Sequence, residues 1–149
     1  MPALHVSWAQ YHASIERLAL NVHRSGYPFN QIICIARGGL RVGDVLSRIY
    51  ETPLAILSTH SYAEEGGTIR GELVIAEHMT MTAPRLGDRI LLVDDMVDSG
   101  HTLAAVHKTL PERWPHITAC KTAVLWWKAC SVFAPDFFVE HLPDNPWIH

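Results

Sequence analysis

Short apolar runs alternate with amphipathic stretches along this chain, and that alternation is the first structural signal. Ser7-Trp8-Ala9-Gln10 has the form of a capping box. Tyr11, Ile15, Leu18 and Val22 then recur at three- and four-residue spacing, which predicts an amphipathic helix ending near Gly26 and Pro28. The β-branched run at 31–36 predicts a strand buried on both faces. Arg37-Gly38-Gly39 breaks it, and helical periodicity resumes over 40–50 through Val45, Leu46 and Ile49. Further strands are expected at 54–57, 73–76, 89–94, 118–127 and 137–140, with a helix over 101–110. Alternating strands and helices imply an α/β class with a mostly parallel central sheet flanked by helices. In such sheets ligands bind beyond the carboxyl ends of the strands. Two of those ends, after Ala36 and after Asp94, carry polar punctuation.

The stretch 59–71 (THSYAEEGGTIRG) is polar, rich in glycine and without period. Loops of that length inside a compact domain are usually lids or binding segments. The 149 residues carry no internal repeat or linker, so a single domain over 1–149 is expected, with a hood loop at about 59–72. Twelve Lys+Arg against fifteen Asp+Glu leave a net charge of −3, which argues against a broad nucleic-acid or anionic-membrane surface but permits a local anion site. No apolar run reaches the roughly 18 residues of a membrane span, and the N-terminus lacks the pattern of a signal peptide, so a cytoplasmic setting is expected. Cys34, Cys120 and Cys130 are odd in number and far apart, which excludes a disulfide framework. Cys34 and Cys120 read as small core residues. The ten histidines show no zinc spacing, and His5, His12 and His23 read as faces of a surface helix.

Residues 90–103 read ILLVDDMVDSGHTL: an apolar strand, two adjacent carboxylates, a third at Asp98, then Ser99-Gly100-His101-Thr102 opening a helix. Gly100 allows a tight turn, backbone N–H groups converge, and Ser99 and Thr102 add hydroxyls, which together suit a terminal phosphate. Asp94 and Asp95 offer acceptor-only groups, suited to vicinal hydroxyls or a hydrated Mg2+. Phosphate donors beside diol acceptors describe a ribose 5-phosphate. Taken singly, a strand ending in Asp followed by a Ser-Gly turn can equally be an ordinary cap and turn; the full run is much more specific.

This run resembles the phosphoribosyl-pyrophosphate signature of type I phosphoribosyltransferases. Ile35-Ala36-Arg37-Gly38-Gly39-Leu40 resembles the family's pyrophosphate loop, and Ser61-Tyr62 its Ser-Tyr hood pair. Lys128 follows an apolar strand, as the family's base-recognising lysine does, and Trp147-Ile148 resembles its Trp-Ile pair over the purine. Together these point to the purine-salvage branch, with its short bacterial xanthine-guanine and hypoxanthine-guanine enzymes, and to a base-binding segment over about 128–149. The resemblance implies Mg2+-dependent transfer of a 5-phosphoribosyl group from phosphoribosyl pyrophosphate to a ring nitrogen of a 6-oxopurine. It implies that Asp98, Ser99, Gly100, His101 and Thr102 grip the 5-phosphate, Asp94 and Asp95 the ribose hydroxyls, and Asp95 the metal. Arg37, Gly38 and Gly39 would bind pyrophosphate, with a cis peptide frequent at that loop, and Arg70 could fold over it. Asp98 would face the imidazole-ring nitrogen of the purine as the catalytic carboxylate. Lys128 would donate to the 6-oxo group, Trp147 stack on the ring and Ile148 contact its 2-position side.

Competing assignments exist. Lys121 could take the role of Lys128 but lies inside a strand, and Trp147 could plug the C-terminal core. Trp126 and Trp127 are adjacent in a strand and so face opposite sides, as core or subunit contacts. Ser99 stands where threonine is commoner, and His149 where a carboxylate is found in similar enzymes, which opens the preference among guanine, xanthine and hypoxanthine. The family also implies a homodimer or homotetramer. A nucleotide-sensing regulator on the same fold is the alternative, and would need a basic face. A phospho-receiver domain shares Leu-Val-Asp-Asp, but its acidic pair ends the first strand, and Asp136 here precedes an apolar run instead of following one.

Overall fold

A computed structural model describes residues 3–61, 72–143 and 146–148. Tyr62, Arg70 and His149 lie outside these residues. The chain order is β1 (Ala3–Leu4), α1 (Trp8–Ser25), β2 (Gln31–Ala36), α2 (Leu40–Tyr50), β3 (Leu54–Ser61), β4 (Leu73–Ile75), β5 (Thr80–Met81), β6 (Arg89–Val93), β7 (Met96–Val97), α3 (His101–Arg113), β8 (Ala119–Ala123), β9 (Trp126–Lys128), β10 (Glu140–Leu142) and β11 (Trp147–Ile148).

The central sheet runs β3-β2-β6-β8, all parallel, with β4 and β5 added antiparallel to β3. Side chains alternate across the strands, so each strand feeds two cores. Ile32, Cys34, Leu91 and Val93 pack with Ile15, Leu18 and Val22 of α1 and Val42 and Leu46 of α2 on one face. Ile33, Ile35, Ile90 and Leu92 pack with Leu103, Val106 and Leu110 of α3 on the other. Burial on both faces is why these strands are continuously apolar, and it is what made them visible in the sequence. From β2 the chain crosses through α2 to β3 on one side; from β6 it crosses through α3 to β8 on the other. The carboxyl ends of β2 and β6 are therefore a topological switch point, where a crevice opens.

The capping box is present: Ser7 Oγ accepts from the Gln10 amide at 3.1 Å, and the Ser7 amide donates to Gln10 Oε1 at 2.8 Å. The helix begins at Trp8, so His5 precedes it, while His12 and His23 are exposed upon it. Strand β3 extends past the expected 54–57 to Ser61, because Thr59, His60 and Ser61 pair with Ile75, Val74 and Leu73 of β4. The first residues assigned to a loop are thus one arm of an antiparallel pair. Helix α3 passes Pro111, which forfeits only one backbone bond, and closes where the Trp114 amide donates to the Leu110 carbonyl at 2.8 Å.

Two further expectations need correction. The run 118–127 is two strands in different sheets, β8 in the central sheet and β9 in a parallel sheet of order β10-β9-β7. The break is made by Asp95, whose carbonyl accepts from both the Leu125 and Trp126 amides, at 2.9 and 3.2 Å, and draws the chain aside. The run 137–140 is not a strand either. Phe137 forms an isolated bridge with Ala123, the two phenylalanines pack into opposite cores, and pairing resumes only at Glu140.

Candidate active site

The site is built from the loop after β2 and the loop after β6, held against each other at the switch point. The Ala36–Arg37 peptide is cis. The Gly39 amide then donates to the Ile35 carbonyl at 2.8 Å and the Leu40 amide to the Arg37 carbonyl at 3.1 Å, so the turn folds directly into α2. A Cβ on Gly38 would lie 2.6 Å from Asp95 Oδ1. Only glycine lets the two loops meet at this distance.

On the opposite loop, the Asp94 amide is anchored to the Ala123 carbonyl at 3.1 Å. Asp94 Oδ1 accepts from the Asp95 amide at 2.8 Å, and Asp95 Oδ1 accepts from the Met96 amide at 2.8 Å. Burial pushes the Asp94 carboxyl well above the usual carboxylate range, and the neighbouring Asp95 charge pushes the same way. Two carboxylates in one recess, one desolvated, form an anionic spot whose cost a divalent cation or a set of hydroxyl donors relieves. Among the described residues no group of three or more His, Cys, Asp or Glu is assembled for a metal. A cation at this pair would therefore take its remaining ligands from substrate and water oxygens, as Mg2+ commonly does.

After β7 the chain turns at Gly100, with φ +89°, and enters α3 at His101. Ser99 Oγ accepts from the His101 amide at 3.4 Å. The first-turn amides of a helix lack intrahelical acceptors and carry the positive end of its dipole. They open on a cavity of about 280 Å3 lined by Ala36, Gly38, Thr59, Asp94, Asp95, Asp98, Ser99, Gly100 and Thr102 among others. Carboxylates, hydroxyls and a helix N-terminus in one lining suit it chemically to a phosphorylated polyol. Thr59, within the stretch the sequence reads as a loop, reaches the cavity because it follows directly on Ser58, where the parallel pairing of β3 with β2 ends.

Lys128 approaches from β9. Its side chain is only 4% exposed, and its ammonium lies 3.5 Å from Oδ2 of Asp98, whose side chain is 57% exposed. The competitor Lys121 is exposed, with its ammonium 5.1 Å over the ring of Tyr27. Trp126 is buried in the core near Tyr11, and Trp127 stacks on His141 with ring centroids 4.1 Å apart, so the two do face opposite sides. Asp136 accepts from the Thr122 amide at 2.9 Å and serves the fold, away from the acidic pair.

Not every expected residue converges on the cavity. Arg37 and Ile148 line a second, larger groove of about 920 Å3, together with Trp8, Tyr11, Arg41 and Trp126. Gly38, Asp95 and Met96 line both hollows, so the two meet at Asp95. Ile148 reaches the groove because β11 pairs in parallel with β1. Ser61 sits at the end of β3, paired in register with Leu73. Among the described residues no helix is long and apolar enough to cross a membrane.

Residues 7–149 match the model of the phosphoribosyl transferase domain. The chain is 32% identical to a xanthine-guanine phosphoribosyltransferase of Gluconobacter oxydans, over 96% of this chain and 80% of that one. It is 29% identical to a xanthine-guanine phosphoribosyltransferase of Idiomarina loihiensis, over 97% of this chain and 83% of that one. The crystal structure of a purine phosphoribosyltransferase from Pyrococcus horikoshii superposes with a TM-score of 0.78 at 30% identity, covering 100% of this chain and 92% of that one. With the loop after β2, the acidic pair and the Ser99–Gly100 turn meeting at the switch point, and with nearly the whole chain matched, this protein belongs to the phosphoribosyl transferase domain family.

Proposed function

We propose that the protein transfers the 5-phosphoribosyl group of phosphoribosyl pyrophosphate to a ring nitrogen of a 6-oxopurine, releasing pyrophosphate. The observation that carries this reading is one cavity lined by Asp94 and Asp95, by Ser99, Gly100 and Thr102 at the start of α3, and by Gly38 of the other loop. The bond from the anomeric carbon to the pyrophosphate oxygen breaks, and a bond to the ring nitrogen forms. The proton on the base is lost to an acceptor, and the leaving group departs as an anion.

Each role follows from what the residues are. The amides of the turn and of α3, with the Ser99 and Thr102 hydroxyls, hold the 5-phosphate. Asp94 and Asp95 accept from the ribose hydroxyls, and Asp95, the more accessible to the larger groove, is the carboxylate offered to Mg2+. When bound, the cation neutralises charge growing on pyrophosphate. Arg37 and the amides around Gly38 and Gly39 hold that group from the other loop. Asp98 is exposed on the cavity and accepts the proton of the base. Lys128 donates to the 6-oxo group; a 6-amino group is rejected because two donors would face each other.

The test is to incubate the protein with phosphoribosyl pyrophosphate, Mg2+ and each purine base separately, and to assay nucleotide by chromatography. Nucleoside monophosphate from guanine, xanthine or hypoxanthine and none from adenine is the expected result. No product from any 6-oxopurine, despite saturable binding of phosphoribosyl pyrophosphate, would overturn the transferase reading in favour of a nucleotide-sensing role.

A further inference from the structure

The residues that follow Lys128 touch the phosphate turn from behind, on the side away from the cavity. The Val132 amide donates to the Ser99 carbonyl at 2.9 Å. The Cys130 thiol lies 3.7 Å from the Asp98 carbonyl and 3.9 Å from its Oδ1. A Cβ on Gly100 would lie 2.5 Å from Ser131 Oγ and 2.8 Å from the Phe133 amide nitrogen. The segment is itself folded as a tight turn. The Ser131 amide donates to the Lys128 carbonyl at 3.0 Å, and Ser131 Oγ both donates to the Phe133 carbonyl, at 2.8 Å, and accepts from the Phe133 amide, at 3.1 Å. Phe133 anchors the turn on the α3 core, 5.7 Å from the ring of His107.

These contacts have a directional consequence. In a trans peptide the C=O and the following N–H point opposite ways, and among the described residues the cis bond is at Ala36–Arg37, not here. A Ser99 carbonyl held by Val132 therefore turns the Gly100 N–H towards the opposite side, where the cavity lies. An Asp98 carbonyl facing Cys130 does the same for the Ser99 N–H. Val132 itself is 72% exposed, so its side chain contributes little packing, and its backbone donor is what the position supplies.

We propose that the turn at 129–133 is a positioning element for phosphate recognition, acting through the Val132 amide, which aims the Gly100 N–H at the 5-phosphate. This rests on the phosphate assignment made above. The turn begins at the lysine paired with Asp98, so the base-facing and phosphate-facing groups are set by one short piece of chain.

The test compares binding of GMP and guanosine, by calorimetry, to the wild type, Val132→Pro, Val132→Ala and Ser131→Ala. Pro removes the N–H and Ala retains it. The preference for GMP over guanosine should fall about tenfold in Val132→Pro, as for one lost hydrogen bond to a charged network, and should be restored in Val132→Ala. In steady state the same loss should appear in KM for phosphoribosyl pyrophosphate and not in KM for the base. Ser131→Ala opens the turn without removing a backbone donor; it should show the same selective loss, and it carries the test if the proline variant does not fold. A folded Val132→Pro or Ser131→Ala protein with wild-type preference for GMP overturns the proposal. A wild type without that preference removes the phosphate assignment itself, and the proposal with it.

Discussion

At the scale of single residues, the acidic groups around the cavity have different surroundings and should fail in different ways. Asp98 is open to solvent and faces the buried Lys128 ammonium. On the proposed role, Asp98→Asn removes the acceptor of the base proton, so kcat should fall by about 10²–10⁴ while phosphoribosyl-pyrophosphate binding is largely retained. Single-turnover kinetics and calorimetry on the same preparation separate the two; unchanged turnover would remove Asp98 from the chemistry. Asp94 is desolvated beside a second carboxylate, and its pKa is raised in the folded state. The folded chain therefore holds that proton more tightly than the unfolded chain. The associated stability is complete below the unfolded carboxylate value near 3.9 and is lost as pH rises through the raised value. Asp94→Asn keeps an Oδ1 for the Asp95 amide and has no charge to bury. Its melting temperature in EDTA should exceed the wild type at pH 7, by about 2–4 °C for each kcal/mol recovered. The difference should vanish near pH 4 and activity should be lost. A wild type and variant that melt alike across this range would show that burial does not strain Asp94.

At the scale of elements, what was legible in the sequence is what burial on a regular period dictates. The strand at 31–36 and the helix at 40–50 coincide with their expected limits, because one is apolar on both faces and the other on one stripe. The turn before α3 and the acidic pair were legible as a local cluster because hydroxyls, glycine and carboxylates sit together in sequence. Strand β9 was not separable from β8, because the break depends on the Asp95 carbonyl, a contact from about thirty residues away. That unseen break also carries Lys128 out of the central sheet to Asp98. The placing of Ile148 in the larger groove was equally invisible, since it depends on a pairing between the two ends of the chain. The glycines of the two loops divide on similar grounds. Gly38 meets a side chain, Asp95, which can swing away; Gly100 has positive φ and meets the backbone of the 129–133 turn. Gly38→Ala should thus cost little beyond the Asp95–Met96 hydrogen bond and raise KM for phosphoribosyl pyrophosphate by displacing Asp95. Gly100→Ala should cost stability as well, with about 1–2 kcal/mol from the left-handed backbone alone and further cost from overpacking. Urea titration of both variants checks the contrast, and equal destabilisation would refute it.

For the whole molecule, the two crossovers explain how a chain of net charge −3 can serve a polyanionic substrate. Helices on opposite faces leave β2 and β6 as neighbours whose carboxyl ends open together, and on the proposed function the anion would be met by backbone amides and a helix terminus, with few fixed cations. The same layering sorts the thiols. Cys34 lies between the sheet and α1 and α2, where burial pushes its pKa up to about 11. Cys120 lies against the other core, where burial, aided by Asp136, pushes it to about 12. Cys130 is exposed on the turn packed against the Ser99–Gly100 loop, near Asp98. A thiol with a pKa near 11 is only about one part in a thousand thiolate at pH 8, and the thiolate is the reactive form. Native protein treated with a disulfide reagent at pH 8 should therefore modify one cysteine quickly, identified by peptide mass as Cys130, and the other two only in denaturant. Because Cys130 abuts Asp98, saturating nucleoside monophosphate should slow that first reaction without changing the two that follow unfolding. Rapid modification of Cys34 or Cys120 in the native state would mean that the two cores open far more readily than their packing implies.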